Sequence, residues 1–228
     1  EKIPDEVLLA NSMGALNVLK IACKTKAKLL MASTSEVYGD PKEHPQKETY
    51  WGNVNSFGPR SCYDESKRFA EAATYVYLNK YGIDVRMVRI FNTYGPRMRK
   101  DDGRVISNFI NQAIGNKPLT VYGKGDHSRS FCFVSDLVEG IFKAAVTDKT
   151  KGEIINLGNP EEYKIIDLAQ KIKKLTNSNS EIVFDNLPPD DPSQRQPDIT
   201  KAKKLLNWEP KVSVDEGLQQ TIEYYKSF

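Results

Sequence analysis

"KLLMASTSEVYGD", residues 28–40, starts as an apolar strand and ends in hydroxyls and a carboxylate. The run KLLMAS (28–33) has the length and continuous apolarity of a strand buried on both faces. Apolar side chains recur at helical spacing over residues 5–24, before this strand. After it comes a polar loop, 39–61, then a helical pattern over 63–81 that meets Gly82, a C-cap residue. A second apolar strand, DVRMVRIFN (84–92), follows. Helices alternating with short apolar strands imply a parallel sheet wrapped in helices, the α/β class.

The rest of the chain has shorter elements. The patterns predict helices at 104–115, 136–147, 165–175, near 200–206 and at 214–226. They predict strands at LTVYG (119–123), SFCFVS (130–135), EIINLG (153–158) and EIVF (181–184). NLPPDDPSQRQPD (186–198) reads as a loop. The expected organisation is a doubly wound domain over residues 1–100 and a smaller lobe over 101–228, with segments near 130–160 returning to the first domain.

The chain has 228 residues, with 33 basic and 30 acidic side chains and a formal charge of +3. So near a balance gives no electrostatic case for a nucleic-acid or membrane partner. Three scattered cysteines fit neither a disulfide framework nor a metal site, so a reducing, cytoplasmic setting is expected. No apolar run approaches the ~20 residues of a bilayer span.

Within CYDESKRFAE (62–71), Tyr63 and Lys67 stand four apart, on one face of a helix. A phenol titrates near ~10 in water. A nearby ammonium lowers that value, giving a base able to take a proton from a sugar or steroid hydroxyl. Ligands of open parallel sheets bind beyond the carboxyl ends of strands, where Thr34 and Glu36 lie. The plainer alternatives are a solvated helix face for Tyr63 and Lys67, turn chemistry for Ser33, Thr34 and Ser35, and a solvated carboxylate for Glu36.

Thr34, Tyr63 and Lys67 resemble the Ser/Thr-Tyr-Lys triad of the extended short-chain dehydrogenase/reductases. FNTYGPRM (91–98), LTVYGKGDHSRSF (119–131) and DPSQRQPDITKAKKLLNWEP (191–210) resemble further blocks of that family, in its order. STSEVYGDPKEHPQ (33–46), YWGNVN (50–55), GPRSCYDESKR (58–68) and FNTYGPRMRKDDGRVISNFI (91–110) are most similar to its UDP-glucuronate decarboxylase branch. The resemblance implies a Rossmann-like domain, bound NAD and a UDP-sugar substrate. Decarboxylation through a UDP-4-keto sugar is the implied reaction. Neighbouring dehydratases carry Asp-Glu where this chain has Ser35-Glu36, which disfavours loss of water. A related epimerase, a dehydratase or a non-catalytic sugar-nucleotide binder are the alternatives.

By the same resemblance Thr34, Glu36, Tyr63 and Lys67 are the catalytic residues, and Ala32, Ser33, Tyr63, Lys67 and Thr93 contact the cofactor. Arg129 and Arg195 would clamp the diphosphate with Asn92, and Arg97 would meet the glucuronate carboxylate. Arg104, Asn108, Val121, Tyr122, Asn156 and Asp198 complete the substrate set. Ser66 and His127-Ser128 depart from the usual family residues, glycine and Gln-Thr. Nothing among these residues matches the family's glycine-rich turn, so the expectation is a longer parent protein. Residues 1–25 would be a crossover helix that joins helix 63–81 in a homodimer contact.

Overall fold

The computed structural model describes residues 3–227, and the first two residues of the expected crossover helix lie outside that range. Helix α1 runs Pro4–Thr25, with Pro4 in its first turn beside Asp5 and Glu6, where proline and acids favour a helix start. Strand β1 is Leu29–Thr34, helix α2 is Ser61–Tyr81 and strand β2 is Val85–Ile90. Gly82, at φ +63, ends α2 by donating its N–H to the Leu78 carbonyl. β1 pairs parallel with β2, from Leu29 opposite Val85 to Thr34 opposite Ile90. Strand β7, Ile154–Leu157, pairs parallel with the other edge of β2, giving the order β1-β2-β7.

Side chains alternate across this sheet as strand geometry requires. Leu29, Met31 and Val85 pack with Leu16, Leu19 and Cys23 of α1 and Ala73, Tyr77 and Leu78 of α2. Leu30, Val88, Ile90, Ile155 and Leu157 face the opposite way. They pack on helix α4 (Val134–Val146), helix α6 (Thr200–Leu206) and the buried Trp208. The result is helix, sheet, helix.

A second core lies among helices α3 (Val105–Ile114), α5 (Ile165–Thr176) and α7 (Val214–Lys226), with Phe109, Ile110, Leu168, Ile172 and Leu218 at its centre. Strands β4 (Leu119–Tyr122) and β9 (Ile182–Asp185) pair parallel beside it. Short strands β5 (Ser128–Ser130), β8 (Glu162–Lys164) and β10 (Gln194–Arg195) form a small mixed sheet. Strands β3 (Thr93–Tyr94) and β6 (Cys132–Phe133) make a parallel two-stranded contact.

The long elements fall within two residues of the sequence expectation. The short ones differ. SFCFVS splits into β5, which starts at Ser128, and β6, while α4 starts at Val134. β3, β8 and β10 were not expected, and β10 lies inside the proline-rich stretch read as loop. One further expectation is corrected: α1, at 22 residues, is long and apolar enough to cross a bilayer by length and composition. Its Leu19 is fully buried against α2 and the sheet, while Leu9, Met13 and Ile21 are exposed.

A buried polar network lies between β2, α2 and the loop before α2. Glu71 accepts two parallel hydrogen bonds from Arg89, at 2.9 and 2.7 Å, and one from the Ser33 hydroxyl at 2.6 Å. Arg89 also donates to the Tyr38 hydroxyl and to the Glu48 carbonyl. Tyr38 in turn donates to the Asn156 side chain at 2.8 Å. Removing one member of a buried ion pair leaves an unpaired charge and costs about 3–5 kcal/mol. Arg89→Leu is therefore expected to lower stability by about that amount in urea unfolding. The double variant Arg89→Leu/Glu71→Leu is expected to recover part of the loss, since no charge is then stranded.

Candidate active site

β1 delivers its last residues, Ser33 and Thr34, to the carboxyl edge of the sheet, and a single 3-10 turn, Ser35–Tyr38, follows at once. The Thr34 side chain caps that turn by accepting from the Glu36 N–H at 3.3 Å. This fixes the Glu36 carboxylate toward the N-terminus of α2. Arg60, the residue before α2, donates to Glu36 Oε2 at 2.5 Å. Arg195 of β10 donates to the Ser35 carbonyl and lies 3.4 Å from the same Glu36 oxygen. Arg129 of β5 adds a third positive charge nearby. Burial alone would raise the Glu36 pKa; Arg195, Arg60 and Arg129 outweigh it and hold the carboxyl below its ordinary range.

The Thr34 hydroxyl also hydrogen-bonds Tyr63. The phenol is nonetheless raised above 10.0. Burial is the main cause, Thr34 and Arg104 pull it down, and the Glu36 and Asp64 charges push it up. This corrects the expected lowering by Lys67. The Lys67 ammonium lies 5.9 Å from the centre of the Tyr63 ring and donates to the Ala32 carbonyl at 3.2 Å. It is itself lowered by burial. The Ala32 carbonyl ties it to the end of β1.

The structure thus brings Thr34, Glu36, Tyr63, Lys67, Ala32, Arg104, Arg129 and Arg195 to the carboxyl end of β1. Arg195 is fully buried, bonds Ser35 and Glu36, and so stands as a counter-charge to Glu36. Arg129 contacts Asp191 at 3.0 Å and the Pro192 carbonyl at 2.5 Å. Ser33 serves Glu71. Asn156 is fully buried and bonded to Tyr38, the Gln46 carbonyl and the Asp198 carbonyl, so it joins β7 to two loops. The Asp198 carboxylate accepts from the Thr200 N–H at the start of α6. Val121 is buried in the second core, which corrects its side chain as a ligand contact, whereas Tyr122 beside it is exposed.

Four further residues of the expected set follow β2 in the chain. Arg97 is exposed at φ +69, on the loop after β3. Thr93 Oγ1 donates to the Phe91 carbonyl, the Asn92 carbonyl accepts from Cys132, and Asn108 donates to the Gly103 carbonyl.

Two members of the cluster were missed in the sequence, Arg60 and Asp64. Their i, i+4 spacing at the start of α2 was the available signal. Asp64 is buried, 3.9 Å from Arg60 Nε, and one of its oxygens has no hydrogen-bond partner. Burial first, and the Glu36 charge second, push its pKa up from 3.8 to about 6.

A family model described as GDP-mannose 4,6 dehydratase matches residues 2–221. The chain belongs to that family. Its members share the extended short-chain dehydrogenase/reductase fold. UDP-glucuronic acid decarboxylase 1 of Xenopus tropicalis is 52% identical over 223 residues, 98% of this chain and 52% of the relative. UDP-glucuronic acid decarboxylase 5 of Arabidopsis thaliana is 53% identical over 215 residues, 94% of this chain and 62% of the relative. The family member described here therefore spans only about half to three fifths of the length of these curated relatives. Among solved structures, UDP-glucuronic acid 4-epimerase from Bacillus cereus, in complex with UDP-glucuronic acid and NAD, superposes with a TM-score of 0.88 at 31% identity. The match covers 96% of this chain and 68% of that one. A dTDP-glucose 4,6-dehydratase from Bacillus anthracis, in complex with NAD, gives a TM-score of 0.88 at 26% identity, covering 100% and 70%.

Asp64 and Glu36 have opposite effects on stability against pH. Asp64's folded value lies above its unfolded one, so stability falls as pH rises from 3.8 to about 6. Glu36's folded value lies below its unfolded one, so its stability is present above 4.5 and is lost as pH drops through the folded value. Asp64→Asn abolishes only the first effect. Urea midpoints of variant and parent, measured from pH 3.5 to 8, are expected to diverge in the variant's favour across that window and stay apart above it.

Proposed function

We propose that this segment carries the catalytic centre of a UDP-glucuronate decarboxylase, which forms UDP-xylose through a UDP-4-keto sugar. The observation that carries the reading is Glu36, a carboxylate kept ionised by three guanidiniums beside Tyr63 and Thr34. The decarboxylase relatives at 52–53% identity point the same way. The residues present fit the nicotinamide end of NAD: Ala32, Thr34, Tyr63 and the Lys67 ammonium converge at the carboxyl end of β1, where such ligands lie. Bound NAD would accept a hydride from the sugar's C4 and later return it.

Tyr63 takes the proton of the C4 hydroxyl, aligned by Thr34. It does so as its phenolate; the raised pKa makes forming that phenolate the demanding part, and Arg104 is the nearby charge that eases it. With C4 a ketone, the C5 carboxylate belongs to a β-keto acid. CO₂ then leaves as the C5–C6 electron pair passes into a C4–C5 enolate. The Glu36 carboxylate faces the sugar's carboxylate and favours its departure by repulsion. Tyr63 returns its proton to O4 at the end. Arg97, Arg104 and Arg129 are the cations offered to the UDP-sugar's acid groups. The 4-epimerase likeness favours a second reading, inversion at C4 with the carboxylate kept.

The proposed partner is a second copy of the chain, through α1 and α2. Leu9 and Met13 on α1, and Phe69 and Val76 on α2, are exposed at helical spacing.

Incubation of the full-length protein with UDP-glucuronate separates the two chemistries: CO₂ and UDP-xylose are expected, and UDP-galacturonate without CO₂ would establish the epimerase. Tyr63→Phe is expected to bind UDP-glucuronate normally while turnover drops by at least ~10²-fold; unchanged turnover excludes Tyr63 as the base. Val76→Glu is expected to convert a dimer to a monomer in sedimentation velocity.

A further inference from the structure

Decarboxylation as proposed above consumes a proton. The proton Tyr63 removes from O4 goes back to O4, so the one that ends on C5 must come from elsewhere. Glu36 is the carboxyl beside the reacting sugar, yet Arg195, Arg60 and Arg129 keep it ionised, so it carries no proton of its own to give.

Beside Arg60, which bonds Glu36, lies a cavity of about 260 Å³, lined by Asp40, Asn53, Val54, Asn55, Arg60, Asp64 and Asp190. Asp64 is the buried carboxyl on its wall, only 6% exposed, with Oδ1 lacking any hydrogen-bond partner. The other two acids are engaged elsewhere. Asp40 accepts from Ser193, and Asp190 accepts from Asn55. Arg60 bridges Asp64 and Glu36, at 3.9 and 2.5 Å, so the two carboxyls share one guanidinium. The charges facing Asp64 are Arg60 just before α2, Glu65 from α2, Glu36 from the 3-10 turn and Arg195 from β10. A cavity with polar walls admits water, and a buried oxygen without a protein partner is where such a water binds.

We propose that Asp64 is the proton source for C5, acting through Glu36 and the water of this cavity. The inference rests on the decarboxylase reading. In the step, the Asp64 O–H bond breaks and its proton passes through water to Glu36. Glu36 gives that proton to C5 of the enolate, whose C4–C5 electron pair forms the new C–H bond. Asp64 regains a proton from solvent through the cavity. Burial and the Glu36 charge keep Asp64 protonated up to about pH 6, which suits the task. A carboxyl held as acidic as Glu36 releases a borrowed proton readily. Asp64 touches no substrate and is a positioning residue for the proton.

The two products report separate steps, because CO₂ leaves before C5 is protonated. Rapid-quench single turnovers of the full-length enzyme with NAD and UDP-glucuronate measure both. In Asp64→Asn, CO₂ is expected at close to the parent rate, while UDP-xylose forms ~10²-fold more slowly. Asp64→Glu keeps the acid and is expected to restore most of the second step. UDP-glucuronate affinity and urea stability show that each variant is folded. If Asp64→Asn makes UDP-xylose at the parent rate, or slows CO₂ and UDP-xylose equally, the relay is overturned and the decarboxylase stands. Without CO₂ from the parent enzyme, the decarboxylase reading falls and the relay falls with it.

Discussion

The Arg89–Glu71 ion pair is the constraint on which the site's geometry depends. It places a guanidinium from the middle strand of the sheet against a carboxylate from α2, both largely out of water. Such a pair offsets its desolvation only when every donor and acceptor is used. Here each is. Glu71 takes Ser33 as well, and Arg89 takes Tyr38 and the Glu48 carbonyl. Through Tyr38 and Asn156 the same network holds Gln46 and Asp198. Loop 39–61, well beyond the usual connection length, is thereby pinned to the sheet. The turn that carries Glu36 sits between this network and α2, so the carboxylate is placed by side chains it never touches.

The active-site charges follow from one physical balance applied to three groups. Burial disfavours ionisation in Glu36, Tyr63 and Asp64 alike. Only Glu36 has enough positive charge around it to reverse the effect. Asp64 shares Arg60 with Glu36 and is repelled by it, so it stays on the other side of its ordinary value. Tyr63 feels both carboxylates. The spread between Glu36 and Asp64, two acids joined by one arginine, is the pattern by which a site divides proton-accepting from proton-holding roles.

How much of this was legible in the sequence depends on the range of the interaction. Period and caps are local, and they located α1, α2, β1, β2, α6 and α7 closely. β3, β6, β8 and β10 are two or three residues long and exist only because distant strands pair with them; β10 needs β5, some 65 positions earlier, as its partner. The catalytic cluster was legible as residue types at strand and helix ends. Where each side chain goes was not. Asn156 and Arg195 read as ligand donors in a linear motif, and only the fold shows the bonds that each makes within the protein. Asp64 sat unnoticed beside Tyr63, since its meaning comes from a cavity built by residues 40, 53–55 and 190.

The same fold is shared with solved structures named as an epimerase and a dehydratase, and the chain's sequence relatives are named as decarboxylases. Fold alone therefore cannot choose the reaction. All three chemistries share a ketone at C4, and they part at C5, where a bond is left intact, loses water or loses CO₂. The choice must lie with the groups that surround C5, and under the proposed decarboxylase reading those are the 3-10 turn and the start of α2. Ser35 is a poor acid for a departing hydroxyl, and Glu36 is held as an anion. An anion beside a substrate carboxylate raises the energy of the bound acid and not of neutral CO₂, so it lowers the barrier to this one outcome.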